Sequence, residues 1–174
     1  MKVRELKGLA QTLGAEKFVA QLGPFVLIQR PPREIVAQKD AEIALRSTMP
    51  SRRDRTTESA LAIIHEFQNL HVAALPPMSD KDEIVLGRQP DCDVVVDEAS
   101  VSKRHASFKW DDQKKRCLLK DLGSSNGTFV DEAKLGRKEQ VLEDTAVLTF
   151  GDVDFWYMPS ASLHWRLMHW SPQG

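Results

Sequence analysis

A chain of 174 residues, 41% of them hydrophobic and 28% charged, can bury a core, and its net charge of −1 gives no general drive toward nucleic acid. The charge is unevenly placed: residues 1–55 hold 11 Lys and Arg against 6 Asp and Glu, and the remainder reverses the sign. The basic segment is therefore expected to be solvated or to dock on its own acidic domain.

No apolar run reaches the length of a spanning helix, and the stretch from Phe18 to Ile28 is interrupted by Gln21 and Gly23-Pro24. Cys92 and Cys117 lie far apart with no neighbouring His, so neither a zinc site nor a disulfide framework is expected. The expectation is a cytoplasmic protein without metal, cofactor, membrane or nucleic-acid partner.

Leu6, Leu9 and Leu13 predict a short amphipathic helix within residues 1–17. Phe25 to Ile28 reads as a short buried strand or extended arm, stopped by Pro31-Pro32. Helical spacing returns between Glu34 and Leu45, and Met49 to Arg55 reads as a loop. Residues 57–72 have the clearest helical pattern: Ala60, Ile63, Ile64, Phe67 and Leu70 form one apolar stripe, with Thr56 or Thr57 as the N-cap.

After Pro76-Pro77 the period changes from that of a helix to that of a strand. Strands are predicted near 83–86, 94–96, 105–110, 116–121, 128–130, 146–150 and 153–158, with turn residues between them. Ala106, Phe108 and Trp110 alternate with His105, Ser107 and Lys109, so one face is expected to be wet and one dry. In the tail, Leu163, Trp165, Leu167, Met168 and Trp170 predict a short helix docked on the sandwich.

Three polar clusters punctuate the strands: Gly87-Arg88, Ser102-Lys103-Arg104-His105, and Gly123-Ser124-Ser125-Asn126-Gly127-Thr128. Their order and spacing resemble the forkhead-associated (FHA) domain, a β-sandwich that reads phosphothreonine, over about residues 80–158. The resemblance implies an FHA-like antiparallel β-sandwich at 76–159; with the helical and extended N-terminal extension at 1–75 and the short helical tail at 160–174 that the spacing predicts, the expected fold is mainly β. The resemblance further implies that Arg88 and Ser102 hold the phosphate, and that Ser125 and Asn126 contact the peptide. Lys103 and Arg104 add positive charge or are simply solvated. His105 is implied to be a scaffold residue, and Gly87 and Gly127 to allow close backbone approach. Some relatives carry Arg two residues before the Ser; Ser100 stands there, so no acidic preference after the phosphothreonine is carried over.

The chemistry suits these residue types. A phosphothreonine bears nearly two negative charges and three acceptor oxygens, and a guanidinium fork, a hydroxyl and backbone amides match it. Enzyme readings fare worse. Gly123 to Gly127 formally fits G-x-S-x-G, but that motif needs a helix next, and Thr128-Phe129-Val130 reads as strand. Ser102, His105 and Asp121 include triad residue types without the required placement.

The expected function is a non-catalytic phosphothreonine-binding adaptor in Ser/Thr kinase signalling, its partner a phosphorylated protein such as a kinase or its substrate. The alternative is a scaffold that associates through helix 57–72 and the aromatic tail. Three Arg precede Thr56-Thr57. In some small bacterial FHA proteins a phosphorylated Thr-Thr arm folds back onto the protein's own pocket, so Thr56 and Thr57 are candidate phosphosites and intramolecular ligands.

Overall fold

In a computed structural model, residues 1–46, 52–75 and 83–169 are described. Two helices open the chain, α1 (Val3–Thr12) and α2 (Ala15–Leu22), where a single helix was expected. Gly23, with φ of 82°, ends the second and turns the chain into β1 (Phe25–Gln29). Then come α3 (Arg33–Arg46), α4 (Arg52–Glu66) and β2 (Val72–Ala74).

The sandwich strands follow: β3 (Ile84–Gly87), β4 (Val94–Val95), β5 (Ala106–Asp111), β6 (Arg116–Asp121), β7 (Thr128–Val130), β8 (Ala133–Lys134), β9 (Gln140–Val141), β10 (Val147–Phe150) and β11 (Val153–Pro159). Helix α5 (Ser160–His169) closes the described chain. Two sheets form, in the orders β2-β1-β11-β10-β7-β8 and β4-β3-β5-β6-β9. One pair departs from the expected antiparallel pattern: β3 and β4 are parallel, with Leu86 opposite Val94.

Four consecutive apolar residues in β1 make sense once both faces of the strand are covered. Phe25 and Leu27 point between the sheets, joining Ile84, Phe108, Leu148 and Tyr157 in the first core. Val26 and Ile28 point outward beneath the helices, into a second core with Trp156, Leu6, Phe18 and Ile63. Because β1 pairs with β11 from Phe25↔Pro159 to Gln29↔Phe155, a division at residue 75/76 cuts through the six-stranded sheet.

Three expectations are corrected here. Helix α4 begins at Arg52, so Arg52 to Arg55 are not loop, and Thr56 and Thr57 lie in its second turn rather than at its cap. The helix also ends at Glu66, because the chain must leave it to pair His71 with Lys2 and Val72 with Ile28. Phe67 and Leu70 still pack on the second core, which is why the stripe continues past the helix. In the tail, Trp165 is 61% exposed and stacks on His169 of its own helix instead of anchoring it to the sandwich. Buried Leu163 docks α5, helped by Ser162 and Arg166 bonding Asp144 and by His164 Nε2 against Leu13 O. Met49 and Trp170 lie outside the described residues.

Part of the basic segment pairs with the chain's own carboxylates. Arg30 and Arg33 both reach Asp154, and Lys39 reaches Glu42 and Glu66. Among the described residues, no helix is long and apolar enough to cross a membrane, and no cluster of His, Cys, Asp and Glu could hold a metal ion.

Candidate functional site

The loops after β3, before β5, after β6 and after β10 meet at one end of the sandwich. Backbone bonds zip the first two together: Arg88 N–H donates to Ser102 O at 3.0 Å, Gln89 N–H to Lys103 O at 3.1 Å, and His105 N–H to Leu86 O at 2.8 Å. Gly87 permits this approach. A Cβ there would lie 2.2 Å from Lys103 O and 2.9 Å from Arg104 Cα, both backbone atoms. Gly87→Ala is therefore expected to push the 102–104 loop away from Arg88 and to cost on the order of 1–3 kcal/mol as an overpacked site. A variant with unchanged melting temperature and unchanged loop chemical shifts would contradict that.

His105 is the hub beneath these loops. It is fully buried, its Nδ1 accepts from Ser102 N–H at 3.0 Å, and its Nε2 lies 3.1 Å from Gly127 O. With Nδ1 accepting, the ring must be neutral and carry its proton on Nε2, which donates to Gly127. Its edge meets the Phe150 ring at 5.6 Å between centroids. Both ring nitrogens face backbone, so His105 does not face the Ser102 hydroxyl.

Burial pushes the His105 pKa down, against the opposing pull of the Gly127 bond and the Asp121 charge. An unfolded His titrates near 6.5. The neutral folded ring therefore contributes full stability above about pH 6.5, and the contribution falls as the pH drops below the unfolded value, by at most about 1.4 kcal/mol per pH unit. The expected result is an NMR titration midpoint for His105 below that of a free imidazole. A midpoint at or above about 6.5 would contradict the assignment.

Around the hub stand the candidate contacts. Ser102 Oγ accepts from Ser125 N–H at 3.0 Å, which leaves its own proton to donate elsewhere. Asn126 Nδ2 donates to Ser100 O at 2.7 Å, leaving its Oδ1 and second proton available. Arg88 Nε donates to Val101 O at 3.2 Å, which ties the exposed side chain to the approach of the 102–105 loop. Ser125, Asn126 and Lys103 are exposed as well. Arg104 is exposed and 3.4 Å from Asp91; with both side chains at least half exposed, that pair contributes little. Gly127, at φ of 86°, takes the left-handed turn that starts β7. A strand follows it, so the G-x-S-x-G match lacks its helix.

The supporting roles of Asp121 and Gly151 were not foreseen from the sequence. Asp121 Oδ1 accepts from Gly123 N–H and Ser124 N–H, and its Oδ2 from the Ser124 and Thr128 hydroxyls. Burial opposes its ionisation, but these donors win and hold its pKa below the usual carboxylate range. Asp two residues before Gly was the available signal, since an Asp side chain caps such turns. Gly151, at φ of 62°, packs against the backbone of Ser100, where a Cβ would lie 2.4 Å from Ser100 O. Nothing in its local sequence announces that long-range contact.

Thr56 and Thr57 lie apart from this cluster, in α4. Thr145 donates its hydroxyl to Asp144 O, so Thr57 is the donor in the 2.7 Å hydroxyl pair with Thr145. Presenting either threonine to the loop end would require that helix to unwind.

A family model described as FHA domain matches residues 84–151, from the start of β3 to the turn after β10. The chain is 41% identical over 66 residues to the glycogen accumulation regulator GarA of Mycobacterium tuberculosis, covering 38% of this chain and 35% of that one. GarA of Mycolicibacterium smegmatis is 38% identical over 94 residues (54% and 51%), and the oxoglutarate dehydrogenase inhibitor of Corynebacterium jeikeium 33% over 94 (54% and 56%). The chain thus spans about half or less of the length of these relatives. Among solved structures, an FHA domain from Chlamydia trachomatis aligns with TM-score 0.41 and 27% identity, covering 44% of this chain and 75% of its own. The yeast Dun1 FHA domain aligns with TM-score 0.49 and 17% identity, covering 79% and 75%. The matched span holds the Gly-Arg, Ser-x-x-His and Asn-Gly elements on the loops just described, and residues 84–151 of this chain are an FHA domain.

Proposed function

We propose that this chain is a non-catalytic adaptor whose loop end binds a phosphothreonine segment of a partner protein in Ser/Thr kinase signalling, that partner being a kinase or a kinase substrate. The observation that carries the reading is the pinned Arg88 fork beside a Ser102 hydroxyl that already accepts one bond and has its proton to give. A fixed guanidinium binds a phosphate with less ordering cost than a free one. Ser125 and Asn126 stand on the adjoining loop to meet the peptide, with Lys103 and Arg104 adding charge at the rim.

The regulatory names of the GarA proteins and the oxoglutarate dehydrogenase inhibitor agree with a binding role. The scaffold alternative loses its main surface, because Ala60, Ile63 and Ile64 of α4 are fully buried within the chain. Titration of the whole chain by calorimetry with a degenerate phosphothreonine peptide library, and with its unphosphorylated copy, tests the proposal. Saturable binding of the phosphorylated library alone is expected; equal heats from both would sink it.

A further inference from the structure

A groove of about 1140 Å³ runs beside the sandwich, between α3, Arg55 and Thr56 of α4, and the outer face of the six-stranded sheet, with Arg33, Asp40, Asp131 and Glu132 among its charged lining. Its floor is the outward row of β7 and β10, with Phe129, Val147 and Thr149 only half-buried. Its opposite wall is a face of α3 on which Ala37, Ala41 and Ala44 recur at four- and three-residue spacing and are exposed. Small side chains on that face are what keeps the space open. The lining extends from Thr145 to Gly151, the two ends of β10, so the groove is about 20 Å long at roughly 3.4 Å per residue. That length accommodates about six residues of extended chain.

The position of its mouth suggests the occupant. Gly151 N–H lies 3.4 Å from Gly127 O, and the glycine rests on Ser100, whose carbonyl accepts from Asn126. The groove therefore begins where the Asn126 loop would release a bound peptide. We infer that this groove is a second half of the peptide site. The segment flanking the phosphothreonine passes Gly151 and lies extended along β10, with an apolar side chain seated against Phe129 and Val147. This rests on the phosphothreonine reading of the loop end. It adds that the partner is selected by an extended flank as well as by its phosphate.

The test uses two degenerate phosphothreonine libraries on the whole chain, one with about three randomised residues on each side and one with about ten, long enough to run the groove. Burying one apolar side chain predicts that the long library binds about tenfold tighter or more. Ala41→Arg and Ala41→Glu each fill the groove from an exposed helical position, and both should remove that gain. The short library reports the loop end, which Ala41 does not touch, and should bind both variants as it binds the wild type. Equal affinity of the two libraries for the wild-type chain, or a gain that survives both variants, overturns the inference. A gain lost in one variant and raised in the other would show a charge effect and overturn it too. Failure of the short library to bind the wild type would instead refute the loop-end reading itself.

Discussion

Replacing Arg88 with alanine is expected to abolish phosphothreonine-peptide binding while leaving the melting temperature unchanged. The side chain is exposed, and its one bond, Nε to Val101 O, is replaceable by water, so the folded state loses little. The bound state loses its permanently charged, fork-shaped donor. Removing one partner of a charge-assisted contact costs on the order of 2–5 kcal/mol. A reader of about micromolar affinity has roughly 8 kcal/mol to start from, so the loss reaches the limit of calorimetric detection. Arg88→Lys is expected to recover only part of it, because an ammonium cannot bond two phosphate oxygens in parallel. Unchanged affinity in Arg88→Ala would remove this residue from the site.

His105→Ala is expected to act in the opposite order, on stability first and on binding as a consequence. The ring joins Ser102 N–H to Gly127 C=O through the buried interior of the loop end. Its removal leaves Ser102 N–H without that partner and Gly127 C=O with only the long bond from Gly151 N–H, at about 1–3 kcal/mol for the unpaired amide, and opens a void against Phe150. The melting temperature should fall by several degrees or more, and the peptide should bind weakly even well below it. His105→Asn cannot span both partners as the ring does and should recover little. A variant that kept wild-type stability yet lost all binding would make His105 a direct ligand contact instead.

The contrast between these two residues shows what the sequence by itself could determine. Arg88, Ser102 and His105 could be singled out because they sit in short motifs of fixed spacing, which survive in one dimension, and the fold gathers all three at one end of the sandwich. The alternation of Ala106, Phe108 and Trp110 marked a strand for the same reason, since its two faces are written two residues apart. The expected wet face was wrong in part, because His105 and Ser107 are buried under the loops and neighbouring strands. The helical stripe of α4 was likewise local, and only its ends were misplaced.

What the tertiary structure decided are the contacts between segments far apart in the chain. Phe25 to Ile28 read equally well as an arm or a strand until β11 was seen to pair with it and helices to cover its outer face. Helix α4 runs from Arg52 to Glu66, and its end is set by the pairing of Val72 with Ile28. Thr57 looked like a cap and is a donor to Thr145, 88 residues away. Trp165 looked like an anchor, but the rotation of α5 on the second core gave that role to Leu163 and left the indole in solvent. Gly151 meets Ser100 across the loop end. Periodicity records which side of an element is apolar; it does not record what that side meets, because the partner is chosen by the packing of the whole chain.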